Sequence, residues 1–418
     1  MNTLKDFCNG RFPVGLLYVD KSLWTDEGIA QVVDAGADFI TSVESHEPLI
    51  SLCEKNKLGI ISTSNITPMW WGGDGGNAGM YAKEFPLSRL DETKQDYTRS
   101  PALWGDFIAD EPNSMDFIHI NELVKRYKEL YRGKLPFINL YPNYGSAPKN
   151  TAGEVILQLG NTTYAEYIDR YVREVDLPYI SFDFYPFAGP DAAGKYLDNL
   201  DTVALACKKS KKEMWVITQA GAWKPDEAPC SYQIGWQVYL CLAFGATAIM
   251  HACYSKGWWD EATSCVNLRG EKNSTYCYVK KINSVMHSRL GTEILAHEYL
   301  CTRVYGDTSS ADERIKQQLI RLESRDIPAE LPDIKICPDK AVVAGFFKRP
   351  GSFALMLVNP HDPFNGSVSA VVKLEVVSGK ILSIIGGDNT AEQTCTPASS
   401  SVIITLSGGQ GAFVTFTQ

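Results

Sequence analysis

The chain has 418 residues, of which 44% are hydrophobic and 21% charged, and its formal net charge is −9. That length exceeds what one hydrophobic core usually organises, so a barrel of about 250 residues with a smaller satellite is a natural division. The ordinary globular composition excludes disordered, collagen-like and coiled-coil descriptions, and the acidic balance disfavours a phosphate backbone or an anionic membrane as partner. From the N-terminus, short β-rich apolar runs fall at 14–19, 39–43, 59–63, 104–109, 137–140, 179–184, 214–218 and 247–251. Helical stretches separate them at 26–35, 47–55, 114–130, 164–174, 197–209 and 231–244, several opened by an Asp, Ser or Thr cap. A Gly- and Trp-rich insertion, 67–99, replaces a tidy crossover after the third run, with Gly72, Gly73, Gly75 and Gly76 reading as a rim segment.

Eight strand-plus-helix units predict a closed (β/α)₈ TIM barrel, and no glycine fingerprint or phosphate loop follows the first strand, Tyr18-Val19-Asp20-Lys21. A helix over 276–290 closes the barrel. Beyond it, alternating strands at 342–347, 352–358, 368–374, 380–385, 401–406 and 411–416 read as a small all-β sandwich. The expected domains are therefore a barrel over 1–295 and a C-terminal sandwich over 296–418. With no aromatic cluster in the sandwich, its expected role is structural.

The cysteines are odd in number, eleven, and show no CxxC pair or Cys/His ligand spacing, so reduced thiols, no metal and no cofactor are expected. No secretory-type apolar run opens the chain and no apolar stretch reaches 18 residues. As written, this predicts a soluble cytoplasmic protein, or a secreted or periplasmic one where a leader has been removed. Sequons at Asn65, Asn161, Asn273 and Asn365 matter only in a eukaryotic secretory pathway.

A barrel carries its chemistry at the C-terminal ends of its strands, which selects the residues that follow each apolar run. These are Asp110-Glu111-Pro112, Asn139-Leu140-Tyr141, Asp183-Phe184-Tyr185, Gln219 through Trp223, and His251 through Trp259. Any one of them has a bland reading, since a strand-end Asp or Asn also caps the next helix and a Trp or Tyr also fills core. Convergence of five consecutive strand ends on polar and aromatic residues points instead to a sugar site. Carboxylates and amides there bind hydroxyls, and aromatic faces cover the C–H side of the ring. Trp70, Trp71, Trp223, Trp258 and Trp259 are candidate platforms, and Glu44 and His251 are further polar groups at the rim. The expected partner is an oligosaccharide or glycoconjugate.

Residues 105–112, Gly-Asp-Phe-Ile-Ala-Asp-Glu-Pro, resemble the fourth-strand Asn-Glu-Pro element of the barrel glycoside hydrolase clan that includes β-galactosidases. Residues 236–246, 268–271 and 276–283 are similar to the last barrel turns of those enzymes, so the resemblance spans roughly 12–300. It implies a glycoside hydrolase with Glu111 as general acid/base. Two departures stand out: Asp110 replaces the clan's Asn, and Gln219 occupies the place of its nucleophilic Glu. An amide cannot be that nucleophile. The pair of changes suggests attack by the substrate's own 2-acetamido oxygen, an exception to the two-carboxylate scheme. Asp110 would then orient the acetamido N–H, and Tyr141 or Tyr185 would steady its oxygen. Local Asp-Glu pairs of this kind are similar to those of N-acetyl-β-hexosaminidases and of an N-acetyl-β-galactosaminidase family whose motif also reads Asp-Glu-Pro. Two alternatives remain open: a β-galactosidase-like enzyme, retaining or inverting, that uses Glu111 with Asp183, and a non-catalytic glycan-binding barrel consistent with Gln219.

Overall fold

The computed structural model describes residues 2–63, 70–71 (backbone only), 78–92, 99–146, 158–189, 191–329, 331, 333–366, 368–386 and 399–417. The glycines at 72–76 and the side chains of Trp70 and Trp71 lie outside the described residues. The chain forms two compact units. One comprises Met1–Phe184, Lys209–Ala228 and Ala248–Lys280; the other comprises Tyr185–Lys208, Pro229–Thr247 and Lys281–Gln418.

The barrel strands are β1 (Val14–Leu17), β2 (Phe39–Val43), β3 (Gly59–Thr63), β5 (Leu103–Asp110), β6 (Leu135–Asn139), β7 (Tyr179–Phe184), β8 (Glu213–Gln219) and β9 (Ala246–Ala252), with a two-residue strand β4 (Trp70–Trp71) beside β5. Each reads as a near-continuous apolar run because parallel strands of this kind are covered on both faces; β6 and β7 are buried along their whole length. Hydrogen bonding runs β5-β3-β2-β1-β9-β8-β7, β6 pairs with β5, and a parallel bridge between Leu140 and Phe182 joins β6 to β7. The eight parallel strands thus close into a (β/α)₈ barrel. In register, Asp110 stands opposite Asn139, and Leu16 opposite His251.

Local chemistry supports this path. Thr25 caps the helix Asp26–Asp34 by accepting from the Gly28 amide, and Thr163 with Glu166 forms a capping box that opens Tyr164–Glu174. The latter helix buries Tyr164, Tyr167, Ile168 and Tyr171, one stripe at helical spacing. The expected helix at 47–55 is observed as Leu49–Asn56, after Pro48, and the expected closing helix as two, Ser274–Met286 and Arg289–Ala296.

In the second unit, the described residues form a five-stranded antiparallel sheet, β10 (Glu298–Tyr305), β12 (Val342–Arg349), β13 (Ser352–Val358), β17 (Gly411–Thr417) and β15 (Lys380–Gly386). They also form a three-stranded one, β11 (Ile334–Pro338), β14 (Ala370–Val376) and β16 (Ser401–Leu406). Leu355, Leu357, Val414 and Phe416 from the first sheet share one core with Val372, Leu374, Ile404 and Leu406 from the second, so this is a C-terminal sandwich. Alternation is clean in β14, where Ala370, Val372, Leu374 and Val376 point inward. β10, β11 and the helix Glu313–Glu323 were not expected from sequence. The burial pattern of β10 does not alternate, and β11 is a five-residue strand that ends on Pro338, a residue that argues against a strand. The helix Ser231–Ala243 packs on this region, and Gly345 permits the approach: a Cβ there would lie 2.1 Å from the Ala243 carbonyl oxygen. No helix among the described residues is long and apolar enough to cross a membrane.

Gly105 sets the spacing of the two strands that carry the polar rim. A Cβ at this position would fall 1.9 Å from the Leu135 carbonyl oxygen, a backbone atom that cannot swing away. Gly105→Ala is therefore expected to destabilise the fold by about 1–3 kcal/mol, the usual cost of overpacking, read as a lower denaturant midpoint. An unchanged midpoint would show that β5 and β6 are not held at this distance.

Candidate active site

At the C-terminal rim, three neighbouring strands present three polar side chains to one another. Asn139, last residue of β6 and buried, donates from Nδ2 to Asp110 Oδ1 at 3.2 Å and to Asp183 Oδ1 at 2.7 Å. Its Oδ1 accepts from the Ser181 hydroxyl at 3.2 Å. Ser181 and Asp183 are two residues apart on β7, so both side chains leave the same face of the strand. One amide thus spends its donors on two carboxylates and its acceptor on a hydroxyl.

Two carboxylates on a single amide nitrogen repel each other. Burial, followed by the charge of Asp183, raises the Asp110 carboxyl to about 7, against the lowering effect of the Asn139 bond. Proton release accordingly belongs to the pair rather than to either residue. At neutral pH the pair is suited to hold one proton, which gives it an acid and an anion side by side.

β5 ends at Asp110, and Glu111 turns the chain with a left-handed φ of 45° while its N–H donates to the Asn139 carbonyl at 2.8 Å. Side chains that would alternate across a continuing strand are thereby released from that alternation. For a non-glycine residue this conformation costs roughly 1–2 kcal/mol, and strain of this kind concentrates at functional sites. Tyr167, fully buried in the helix Tyr164–Glu174, donates its hydroxyl to the Pro112 carbonyl at 2.8 Å, and the same hydroxyl is bonded by the Tyr141 backbone. It therefore pins the chain just beyond both β5 and β6. Glu111 is half-buried within electrostatic reach of that hydroxyl, and Tyr141 is buried.

Across the rim, Gln219 ends β8, is fully buried, and donates from Nε2 to the Gly221 carbonyl at 2.9 Å. His251, also fully buried in β9, shares a 2.9 Å hydrogen bond between Nδ1 and the Thr218 hydroxyl. Aromatic rings continue the wall. Trp223 is 54% exposed and Trp258 37% exposed, both in contact with the ring of Trp259, at 4.8 and 5.7 Å between centroids. Trp259 was expected as a platform but is buried, its indole N–H on the Ala252 carbonyl, and so supports the two exposed rings. Tyr185 is half-buried and opens the second unit. Glu44 is exposed and paired with Lys21 at 2.8 Å, a solvated surface position.

Sequence reasoning missed Tyr18. This residue lies in the first apolar run, directly after β1, with a left-handed φ of 59°, and its ring meets Trp258 edge-on at 5.2 Å. Its carbonyl accepts from both the Ser255 amide and the Ser255 hydroxyl. Burial and the charges of Cys253 and Asp110 push its hydroxyl up to about 12, so Tyr18 stays a neutral donor at every working pH. A tyrosine inside an apolar run reads as core until the backbone turns it. Among the described residues no cluster of His, Cys, Asp and Glu is arranged to hold a metal, and the described cysteines are free thiols.

No protein-family model matches the sequence, and no curated protein does. At the level of fold, 223 solved chains match. One, described as a glycoside hydrolase, aligns with a TM-score of 0.51 over 97% of this chain and 92% of its own at 8% identity. The endo-beta-1,4-mannanase from Thermotoga petrophila gives a TM-score of 0.48 at 10% identity over 95% and 97% of the two chains. A GH2 beta-galacturonidase from Eisenbergiella tayi gives 0.47 at 14% identity over 66% of this chain and 52% of its own. At these identities the likeness establishes the fold alone.

The Asp110 proton has a consequence for stability. Held at about 7 in the folded chain against about 4 in an unfolded one, it makes the folded state bind more protons across that window. The resulting stability is present below about pH 4 and is lost as pH rises through about 7. Asp110→Asn is expected to flatten this decline, read as denaturant midpoints from pH 4 to 7 for both proteins. Parallel slopes would place the proton elsewhere.

Proposed function

We propose that this chain is a glycoside hydrolase acting on a β-linked sugar, with Glu111 as general acid/base and Asp110, Asn139 and Asp183 as the polar floor of the site. The observation that carries the reading is the bridged pair: two carboxylates held by one amide at the C-terminal rim of a (β/α)₈ barrel, on the same rim as two exposed tryptophans. Glycosidic hydrolysis needs a proton for the leaving oxygen and a negative or nucleophilic group at the anomeric carbon. Glu111 would give the proton to the leaving oxygen, the bridged pair would present an oriented carboxylate beside it, and the tryptophan faces suit the apolar side of a pyranose.

In the preferred form of the mechanism the substrate is an N-acetylhexosaminide. Asp110, anchored by Asn139, takes the acetamido N–H. The acetamido oxygen closes on the anomeric carbon as Glu111 protonates the leaving oxygen, and Glu111 then takes a proton from the water that opens the intermediate. Gln219 is compatible with this, since no strand-seven carboxylate is required. Tyr141 is the candidate to steady the acetamido oxygen, and His251 to bind a hydroxyl.

A second reading is favoured by the closeness of Asp183 to Asp110. Both Oδ1 atoms lie on one nitrogen, so their separation cannot exceed the sum of the two hydrogen bonds, 3.2 and 2.7 Å. Whether Asp183 attacks directly or activates a water is decided by its separation from Glu111, about 5 Å for the first and about 6.5–9.5 Å for the second. In this form Asp183 attacks the anomeric carbon of a plain hexoside and Glu111 again serves as acid/base.

Release of chromophore from aryl β-glycosides separates the two. N-acetylglucosaminide and N-acetylgalactosaminide should be cleaved and Glu111→Gln should lower turnover by about 10²–10⁴, the usual contribution of general acid catalysis. Cleavage of galactoside, glucoside or mannoside, abolished by Asp183→Asn, would favour the second reading. Sugar binding without cleavage, unaffected by Glu111→Gln, would show a glycan-binding barrel.

A further inference from the structure

The loop after β9 carries a cleft of about 540 Å³ lined by Lys256, Asp260, Glu261, Asn267, Arg269 and Asn273. This volume lies within the roughly 300–1,000 Å³ usual for small-molecule sites. Its position follows from topology: residues 256–273 run from the C-terminal end of β9 to the helix Ser274–Met286, on the barrel face that carries Asp110 and Asp183. Trp258 and Trp259 precede Asp260 directly in sequence, and the Asp260 amide donates to the Ala222 carbonyl at 2.8 Å, next to Trp223. The cleft therefore begins where the two exposed tryptophans end.

Its polar groups are fixed at one end and open at the other. Asp260 Oδ1 accepts from the Ala262 amide at 2.9 Å, which orients the carboxylate and leaves Oδ2 without a partner among the described residues. Asn273 commits Nδ2 to the carbonyls of Glu261 and Ser264, at 3.0 and 2.9 Å, which holds the amide still with its oxygen uncommitted. The same two bonds occupy the nitrogen that a sequon would glycosylate. On the donor side, Arg269 pairs with Glu271 through Nη2 at 2.8 Å and keeps further N–H groups, while the Lys256 ammonium has no ion pair or hydrogen bond among the described residues. Oriented acceptors interleaved with donors of both kinds suit a ligand whose every polar group both donates and accepts. A sugar hydroxyl does so; a phosphate or carboxylate, which only accepts, would meet Asp260 and Glu261 as well as the cations.

We infer that this cleft is an outer glycan subsite, continuous with Trp258 and Trp223, and that the substrate is an oligo- or polysaccharide extending at least one sugar beyond the cleaved bond. The inference rests on the glycosidase reading of the bridged carboxylates and deepens it by naming the length of the substrate. Side chains locked by their own backbone lose little freedom on binding, so each extra sugar contributes affinity without a large ordering cost.

The test uses the full chain carrying Glu111→Gln, titrated calorimetrically with β-linked oligosaccharides of two to six units from the chito, manno, cello, xylo and galacto series. Affinity for at least one series should rise tenfold or more with length. Adding Asp260→Asn with Lys256→Ala should remove that gain while leaving the affinity for the shortest binding member unchanged. In the wild-type background the same substitutions should raise KM for the long substrate about tenfold and leave aryl-glycoside turnover as it was. Length-independent binding, an equal loss on short and long sugars, or no binding in any series would overturn the subsite. Length-dependent binding with no cleavage by the wild type would keep the subsite and defeat the hydrolase reading instead, so the two claims fail separately.

Discussion

Everything proposed for this molecule turns on one amide nitrogen. Asn139 sits between Asp110 and Asp183 and holds both carboxylates on a single group, 3.2 and 2.7 Å away. Desolvation at the barrel rim and mutual repulsion oppose two charges there, so the pair keeps a proton near neutrality. That costs nothing in ligands or metals. It needs only that β5, β6 and β7 lie side by side in the register the barrel imposes, with Gly105 allowing β6 to come close and Ser181 fixing the orientation of the amide.

The rest of the rim is arranged around this point. Glu111 leaves the strand through a left-handed turn, and Tyr167 ties down the carbonyl that follows it, so the residue next to the pair is set by backbone geometry instead of by strand pleat. Tyr18 makes a similar left-handed turn at the end of β1 and brings a neutral hydroxyl and a ring edge to the opposite side. Trp259 is spent in the interior to support Trp223 and Trp258 outside. Polar floor and aromatic wall therefore come from different strands of one barrel.

Much of this was legible in the sequence because it rests on patterns a chain carries locally. Continuous apolar runs gave the eight barrel strands, and the rule that chemistry follows each run picked out Asp110, Glu111, Asn139, Asp183, Gln219 and His251 together. What could not be read was pairing across the barrel. Asp110 and Asp183 are far apart in the chain, and only register brings them onto one amide. Tyr18 was hidden for a different reason: its residue type matches the apolar run it lies in, and only a positive φ sets it apart. In the sandwich, β10 escaped because it lacks the alternation that marks β14, and β11 because it is short and ends on Pro338. Trp258 and Trp259 show the limit of composition, since adjacent identical residues serve one as surface and the other as support.

The most direct measurement is the anomeric configuration of the first product, followed by proton NMR during hydrolysis of whichever β-glycoside the enzyme cleaves. Attack by the substrate's acetamido oxygen and direct attack by Asp183 both pass through two displacements, so the β-anomer should form first and mutarotate afterwards. An α-anomer as first product would contradict the account, because it would require a single displacement by a water with a carboxylate such as Asp183 as its base.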